Sequence, residues 1–370
     1  MTTYRYLLAN LLTNQILAEL DLTGVNFTQQ LNSAGTLSAN ILLSGMTNAN
    51  NAAAATTPGQ TAIYVDRNGV IVWGGVIWSR TYNSTSQHIS ISAQEFESYL
   101  SRRRISSTLS YYGKDQLFIA RDLVAQGMAQ PYGNIGINIP PTTSGIISDP
   151  TIFYGYELRT YLAALQDLAK AGTGSSNGAG FDFAITCAYD GQQNITKTLR
   201  LGYPMLGTRY SSTSATAPVF EYPAGNIVEY EASVDGSRVA NKIYVTGAGS
   251  NEGKLIYSAA DVSKLQQGWA LLEDSTSYSN WNSATTLQNL ANGQVAATSY
   301  PPTQLKVIAN PATDPIFGSY VIGDDVRIRI KDFYYPDGID ATYRLVALTV
   351  TPGETGPERV TLSLTLPTTS

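Results

Sequence analysis

Among side chains that bind metals or attack substrates, this chain offers one histidine, His88, and one cysteine, Cys187. Zinc, haem and iron–sulfur sites use these residue types in groups of three or four. No metal or cofactor site is therefore expected, and no intramolecular disulfide can form. His88 lies in Gln87-His88-Ile89-Ser90-Ile91-Ser92, on the polar side of an alternating pattern and away from any G-x-S-x-G motif. It reads as a solvent-facing strand residue. Cys187, in Ile185-Thr186-Cys187-Ala188-Tyr189, has no neighbouring Lys, Arg or second His in sequence to favour a thiolate, and reads as strand packing.

The loop Gly247-Ala248-Gly249-Ser250-Asn251-Glu252-Gly253-Lys254 has some features of a phosphate loop. Ala248 stands where the motif needs glycine, and Leu255 replaces the Ser or Thr that would hold magnesium, so a hairpin turn is the better reading. Glycoside hydrolysis needs only two carboxylates. Asp324-Asp325 and the pair Glu95 and Glu97 are the nearest candidates. Asp324-Asp325 follows Gly323 at the mouth of a strand, which is turn chemistry. Ser92-Ala93-Gln94-Glu95 has the spacing of a helix capping box, which assigns Glu95 a structural task and predicts a helix from there to about Arg104. Arg102-Arg103-Arg104 then falls at the helix end, where cations are favourable without any ligand. No catalytic residue is assigned, and enzymatic activity is not expected.

Aromatic residues are the remaining informative class. Tyr111-Tyr112, Tyr132, Tyr154, Tyr156, Trp269, Tyr278, Trp281 and Tyr334-Tyr335 fall in loops or at element edges. Such residues suit protein interfaces, sugar-stacking platforms or local loop anchors.

The elements that carry these residues divide the chain into three. The first section, 1–105, has strand signals at Tyr6 to Leu12, Ile16 to Leu22, Leu37 to Leu43, Ile63 to Val65, Val70 to Trp78 and His88 to Ser92. Thr13-Asn14-Gln15 joins the first two, and Asn68-Gly69 predicts a tight hairpin. This section reads as a small barrel or sandwich closed by a helix. In the second, 106–205, Asp115 to Gly127 and Tyr156 to Ala171 have helical spacing. Gly172 ends the second helix, Gly172 to Gly180 forms a loop, and a hairpin turns at Asp190-Gly191, giving an α+β insert. The third, 206–370, returns to strands at Ile243 to Val245, Leu305 to Ile308, Val326 to Ile330, Leu345 to Val350 and Val360 to Leu366. A short helical insert near 260–293 interrupts them, with a helix near Thr285 to Asn292 capped by Gly293. Val326-Arg327-Ile328-Arg329-Ile330 alternates cleanly, as an antiparallel strand with one buried face does. The fold class is thus β-rich α+β, two small antiparallel β-barrel domains flanking an α+β insert.

Composition agrees. The 370 residues are 43% hydrophobic and only 14% charged, with 24 Tyr, a balance suited to short strands and turns. A net charge of −5 with no basic face gives nothing to neutralise phosphates, so specific nucleic-acid binding is not expected. No apolar run approaches the roughly 20 residues that cross a bilayer. The first residues lack a signal-peptide cleavage pattern and read as a strand of a protein made in the cytoplasm.

Taken in order, several strings resemble the tail-hub (minor tail or baseplate hub) proteins of long-tailed bacteriophages, across essentially the whole chain. Glu19-Leu20-Asp21-Leu22, Gly35-Thr36-Leu37-Ser38-Ala39, Val70-Ile71-Val72-Trp73-Gly74-Gly75-Val76-Ile77 and Tyr99-Leu100-Ser101-Arg102-Arg103 resemble the first barrel of such hubs. Asn241-Lys242-Ile243-Tyr244-Val245-Thr246-Gly247 is similar to the strand that opens the second. Tyr320-Val321-Ile322-Gly323-Asp324-Asp325-Val326, Tyr343-Arg344-Leu345-Val346-Ala347-Leu348 and Val360-Thr361-Leu362-Ser363-Leu364 resemble its end.

The resemblance implies a structural virion protein at the tail tip of a siphovirus. It implies a homotrimer with two similar barrels per chain, so that six barrels continue a sixfold tail tube and adapt it to a threefold tip. A distal tail protein ring would lie above, the tape-measure protein in the lumen, and tail-tip or fibre proteins below, with no membrane insertion by this chain. An acidic, weakly charged lumen would let DNA slide through. Larger members carry C-terminal lytic or receptor-binding modules, whereas here the last strand ends close to Ser370, which implies that wall digestion falls to other proteins. The alternatives are a tail-associated cell-wall hydrolase or carbohydrate-binding adhesion module, and a spike-base protein of a contractile injection machine.

Overall fold

The computed structural model describes residues 2–43, 49–148, 150–171, 180–210, 216–279, 281–300, 303–353 and 356–366. The opening section is antiparallel: β1 (Tyr4–Asn10), β2 (Ile16–Glu19), β3 (Thr23–Gln30), β4 (Thr36–Leu42), helix α1 (Ala49–Ala55), β5 (Thr61–Arg67), β6 (Val70–Asn83) and β7 (His88–Glu95). Between β5 and β6, Asn68 and Gly69 both have positive φ (54° and 83°), the geometry of the predicted hairpin. Trp73 Nε1 on β6 donates to the Thr28 carbonyl (2.9 Å), and Gln29 Nε2 on β3 donates to the Val72 carbonyl (2.7 Å). The sheet therefore curls until β6 meets β3, two strands away from its own ladder partner.

The middle section packs on the outside of this sheet. It comprises α2 (Glu97–Leu100), β8 (Leu109–Tyr111), α3 (Gln116–Met128), β9 (Ile137–Asn138), β10 (Thr151–Phe153), α4 (Tyr161–Ala171), β11 (Asp182–Tyr189) and β12 (Ile195–Gly202). Asp115 caps α3 by accepting from the Leu117 and Phe118 amides. The hairpin β11–β12 turns around Asp190, and β9 adds to it in parallel. The predicted loop lies outside the described residues from 172 to 179.

The closing section contains β13 (Val219–Tyr222), β14 (Ile227–Val234), β15 (Lys242–Thr246), β16 (Ile256–Ala260), α5 (Val262–Gln266), β17 (Glu273–Ser277), α6 (Ala284–Thr298), β18 (Thr303–Ala309), β19 (Asp325–Ile330), β20 (Ile339–Thr351) and β21 (Arg359–Thr365). The three strands β15, β16 and β17 form their own sheet, backed by α6 around Ile243, Val245, Trp281 and Leu287. Gly293, expected as a cap, lies inside α6, which continues to Thr298.

One relationship organises the rest. The long strand β20 pairs with β21 along one edge, and along the other with β19 first and then with β3 of the opening section. Opening and closing strands thereby join one 13-stranded sheet, whose path runs from β14 to β2 and does not close into a barrel. Its main core is shared, with Phe27, Leu37 and Trp73 packed together with Val326, Leu348 and Leu362. Strands β1 and β5 are buried on both faces. Tyr6, Leu8, Ile63 and Val65 face that core, whereas Leu7, Ala9, Ala62 and Tyr64 face a second core shared with α3, α4 and β11. This double burial explains why Tyr6 to Ala9 is a continuous apolar run rather than an alternating one.

Two local expectations are corrected. Ser92 to Glu95 is not a capping box but the end of β7, and the helix that follows is only Glu97–Leu100. The period-two series Ile89, Ile91, Ala93, Glu95 faces inward, so sheet burial overrides the cap pattern. Strand β3 was absent from the predicted elements because only Val25 and Phe27 mark its buried face among polar neighbours.

Candidate functional site

Each chemistry-bearing residue singled out from the sequence has a definite structural place. His88 is half-buried at the start of β7, opposite Leu42 and Asn83. The Gly247–Lys254 loop is the turn between β15 and β16, tightened by a 3-10 turn at Asn251–Gly253. Asp324 accepts from the Thr208 amide (2.6 Å) and the Val321 amide (2.9 Å), which is the turn role its sequence suggests. Asp325 accepts from the Tyr210 amide (3.3 Å), and burial raises its pKa.

The pair Glu95 and Glu97 is buried rather than displayed. Glu95 accepts from the amides of Gly35 (2.7 Å) and Gln30 (3.2 Å), and Glu97 accepts from the Ile185 amide (2.5 Å). Glu95 thus ties the end of β7 to the end of β3 and the turn after it, and Glu97 ties the start of α2 to β11. Desolvation raises both carboxyls, that of Glu97 to about 7, and Glu95 is raised further by its neighbour. Without access to a substrate, this pair cannot serve as an acid and a nucleophile on a sugar ring.

The triple arginine follows the end of α2, with Arg102 and Arg104 exposed and Arg103 half-buried. Arg102 lies over Trp78, Arg103 donates to the Gly127 carbonyl (2.9 Å), and Arg104 reaches the Leu158 carbonyl (3.4 Å). Arg102 thus rests on β6 of the opening section, while Arg103 and Arg104 tie the end of α2 to the rest of the middle section. Cys187 packs against Gly74, where a Cβ would lie 2.7 Å from its Sγ, and burial pushes the thiol up. Contrary to the sequence reading, a lysine does lie beside it: Lys197 is its partner across the β11–β12 ladder. Sequence reasoning missed Lys197, because Thr196-Lys197-Thr198 reads as a solvent-facing stretch.

The aromatics separate into two groups. Tyr111, Tyr278 and Trp281 are core residues, and Tyr111 donates to Asp122 (2.6 Å). Tyr112, Tyr132, Tyr156 and Tyr334 are exposed, and Phe333 stands wholly clear of the surface at the β19–β20 tip. Tyr154 and Tyr156 stack with centroids 5.2 Å apart. Beside them a shallow groove of about 470 Å³ is lined by Arg104, Glu157, Leu158, Arg159, Ser277 and Ser279. Another of about 320 Å³ lies between Ser106, Gln126, Gln130 and Tyr161. Neither groove contains the candidate carboxylates. Among the described residues no group of three His, Cys, Asp or Glu side chains is placed to hold a metal, and no helix is long and apolar enough to cross a membrane.

What the geometry does build is a scaffold. Arg344 on β20 donates to Asp182 on β11, and Asp182 also accepts from Asn32 Nδ2 (2.7 Å) and the Leu206 amide (2.8 Å). Arg67 on β5 forms a two-pronged pair with Glu358 (2.7 and 2.8 Å), which also accepts from the Tyr4 hydroxyl. Both pairs join distant parts of the chain through largely buried, charge-assisted bonds.

This scaffold matches known structures along nearly its full length. A tail protein from Neisseria meningitidis superimposes with a TM-score of 0.61 at 14% identity, covering 97% of this chain and 96% of that one. The 43 kDa tail protein of prophage MuSo2 from Shewanella oneidensis gives 0.57 at 15% identity, covering 98% of each chain. The chain shares its fold with these tail proteins. An E. coli component of the type VI secretion system, described as similar to the T4 bacteriophage tail proteins gp27 and gp5, gives 0.51 at 9% identity. That match covers 95% of this chain and 78% of that one. No family model and no curated protein matches the sequence.

Proposed function

We propose that this chain is a structural tail-hub protein at the tail tip or baseplate. As a homotrimer it closes the tail tube and adapts sixfold symmetry above to threefold symmetry below. The observation that carries this reading is the fold match to tail proteins along nearly the whole of both chains. A second support is internal. Seven strands lie on the opening side of the β3–β20 joint and six on the closing side, two groups of comparable size within one sheet. That division fits two barrel-like lobes per chain, so three copies supply six lobes around a lumen. The proposed domains are residues 1–105, 106–205 and 206–370, the first and last carrying the lobes.

In this role the partners are a distal tail ring above, the tape-measure protein in the lumen and tip or fibre proteins below. No step of it needs a catalytic group. Exposed aromatics such as Phe333 and Tyr334 supply rigid, amphipathic contact area for such neighbours. Light scattering of the purified chain tests the assembly: a mass of three copies agrees, and a monomer at every concentration overturns it. A second reading, a carbohydrate-binding adhesion module or wall hydrolase, rests on the stacked Tyr154 and Tyr156 beside the larger groove. Its hydrolase form is disfavoured by the burial of Glu95 and Glu97.

A further inference from the structure

Lys197 is 1% exposed, yet among the described residues no carboxylate lies within ion-pair distance of it. Its ammonium carrier stem runs from β12 toward the opening sheet, where Nζ lies 5.0 Å from the centre of the Phe96 ring and 3.3 Å from Asn14 Oδ1. Desolvation pushes its pKa down to about 8, so an appreciable fraction of the amine is unprotonated near neutral pH.

Asn14 sits in the β1–β2 turn with φ 59°. Its Nδ2 donates to the Ile195 carbonyl (2.6 Å), and because a carbonyl can only accept, the orientation of the amide is fixed. Oδ1 therefore faces Lys197 and also accepts from the buried Tyr64 hydroxyl (2.5 Å). An amine, an amide carbonyl and a donor on that carbonyl oxygen thus meet in one enclosed place.

We propose that Lys197 and Asn14 become joined by an intramolecular isopeptide bond, a covalent staple between the β1–β2 turn and strand β12. The neutral Nζ attacks Asn14 Cγ and forms the new C–N bond, while the charge developing on Oδ1 is held by the Tyr64 hydroxyl. The tetrahedral centre collapses as the Cγ–Nδ2 bond breaks. The proton shed by Nζ passes to Nδ2, which leaves as ammonia. Atoms and charge balance with no oxidant or co-reactant. A side-chain amide is a weak electrophile, so the step depends on the fixed approach of the two groups, for which intramolecular placement is the largest available advantage. The product ties together residues 183 positions apart, one in the opening strands and one in the middle section, independently of the tail-hub reading.

Intact-mass spectrometry of the full chain tests this, after allowance for loss of Met1. The expected mass is about 17 Da below that of the sequence, the mass of the ammonia released in the acyl transfer. Trypsin should then yield residues 6–67 linked to residues 171–200, with no cleavage after Lys197. Lys197→Met and Asn14→Gly should each restore the full mass, the second placing glycine where φ is positive. An unmodified wild-type mass overturns the proposal. So does a deficit that persists in Lys197→Met, which would mark cyclisation of Asn14 onto its own backbone.

Discussion

Arg344 on β20 and Asp182 on β11 face each other with side chains only 12% and 7% exposed, and this pair fastens the closing strands to the middle section. Removing one partner of such a pair leaves a buried charge uncompensated. Asp182→Ala also strips acceptors from Asn32 and the Leu206 amide. It should lower unfolding free energy by about 3–5 kcal/mol in denaturant titration. The double variant Asp182→Asn with Arg344→Met should cost less than Asp182→Ala, since no lone charge remains.

The shared core predicts cooperative behaviour. Phe27 on β3 lies opposite Val350 on β20 and is fully buried. Phe27→Ala should cost about 3–5 kcal/mol. Hydrogen exchange should accelerate in β20 and β21 as well as in β3 and β4. Acceleration confined to the opening strands would mean that the two strand groups unfold independently.

The buried carboxyls set a pH dependence of definite sign. Glu97 titrates near 7 when folded, and higher than an ordinary carboxyl because of burial. Between about pH 4.5 and 7 the native state therefore holds more protons than the unfolded one, and stability falls as pH rises through that window. The groups facing it are Glu95, raised in the same direction, and Cys187, which burial keeps as a thiol. Glu97→Gln keeps an acceptor for the Ile185 amide. It should flatten the fall by on the order of 3 kcal/mol, read from chemical denaturation at pH 5 and pH 8.

Gly74 tests the contact between sheet and insert. A Cβ there would lie 2.7 Å from Cys187 Sγ and 2.8 Å from Tyr64 Cδ1. Gly74→Ala should destabilise by about 1–3 kcal/mol through overpacking. Cys187→Ala in the same chain should recover part of the loss, because it removes the nearer of the two atoms.

How much of this was legible in the sequence depended on how local each cause was. The Asn68-Gly69 hairpin, the Asp115-capped helix α3 and the alternating strands β19 and β21 are decided within a few residues, and the pattern revealed them. The β3–β20 joint was not legible, since a weakly apolar strand gains its place from a partner some 320 residues away. The capping pattern at Ser92 misled because burial of one face of β7 outweighs a helix cap worth about 1 kcal/mol. Lys197 was invisible for a related reason: a lysine between two threonines gives no sign that its strand will be covered on that face by Phe96.

The central claim is that three copies of this chain surround the axis of a phage-type tail. Electron cryo-microscopy of the particle that carries it, reconstructed without imposed symmetry, tests this most directly. The account predicts a ring of three chains at the tail tip, with each β3–β20 joint lying between two lobes and six lobes lining one lumen. A ring of any other copy number, or single chains bound at the periphery of the tail, would contradict it.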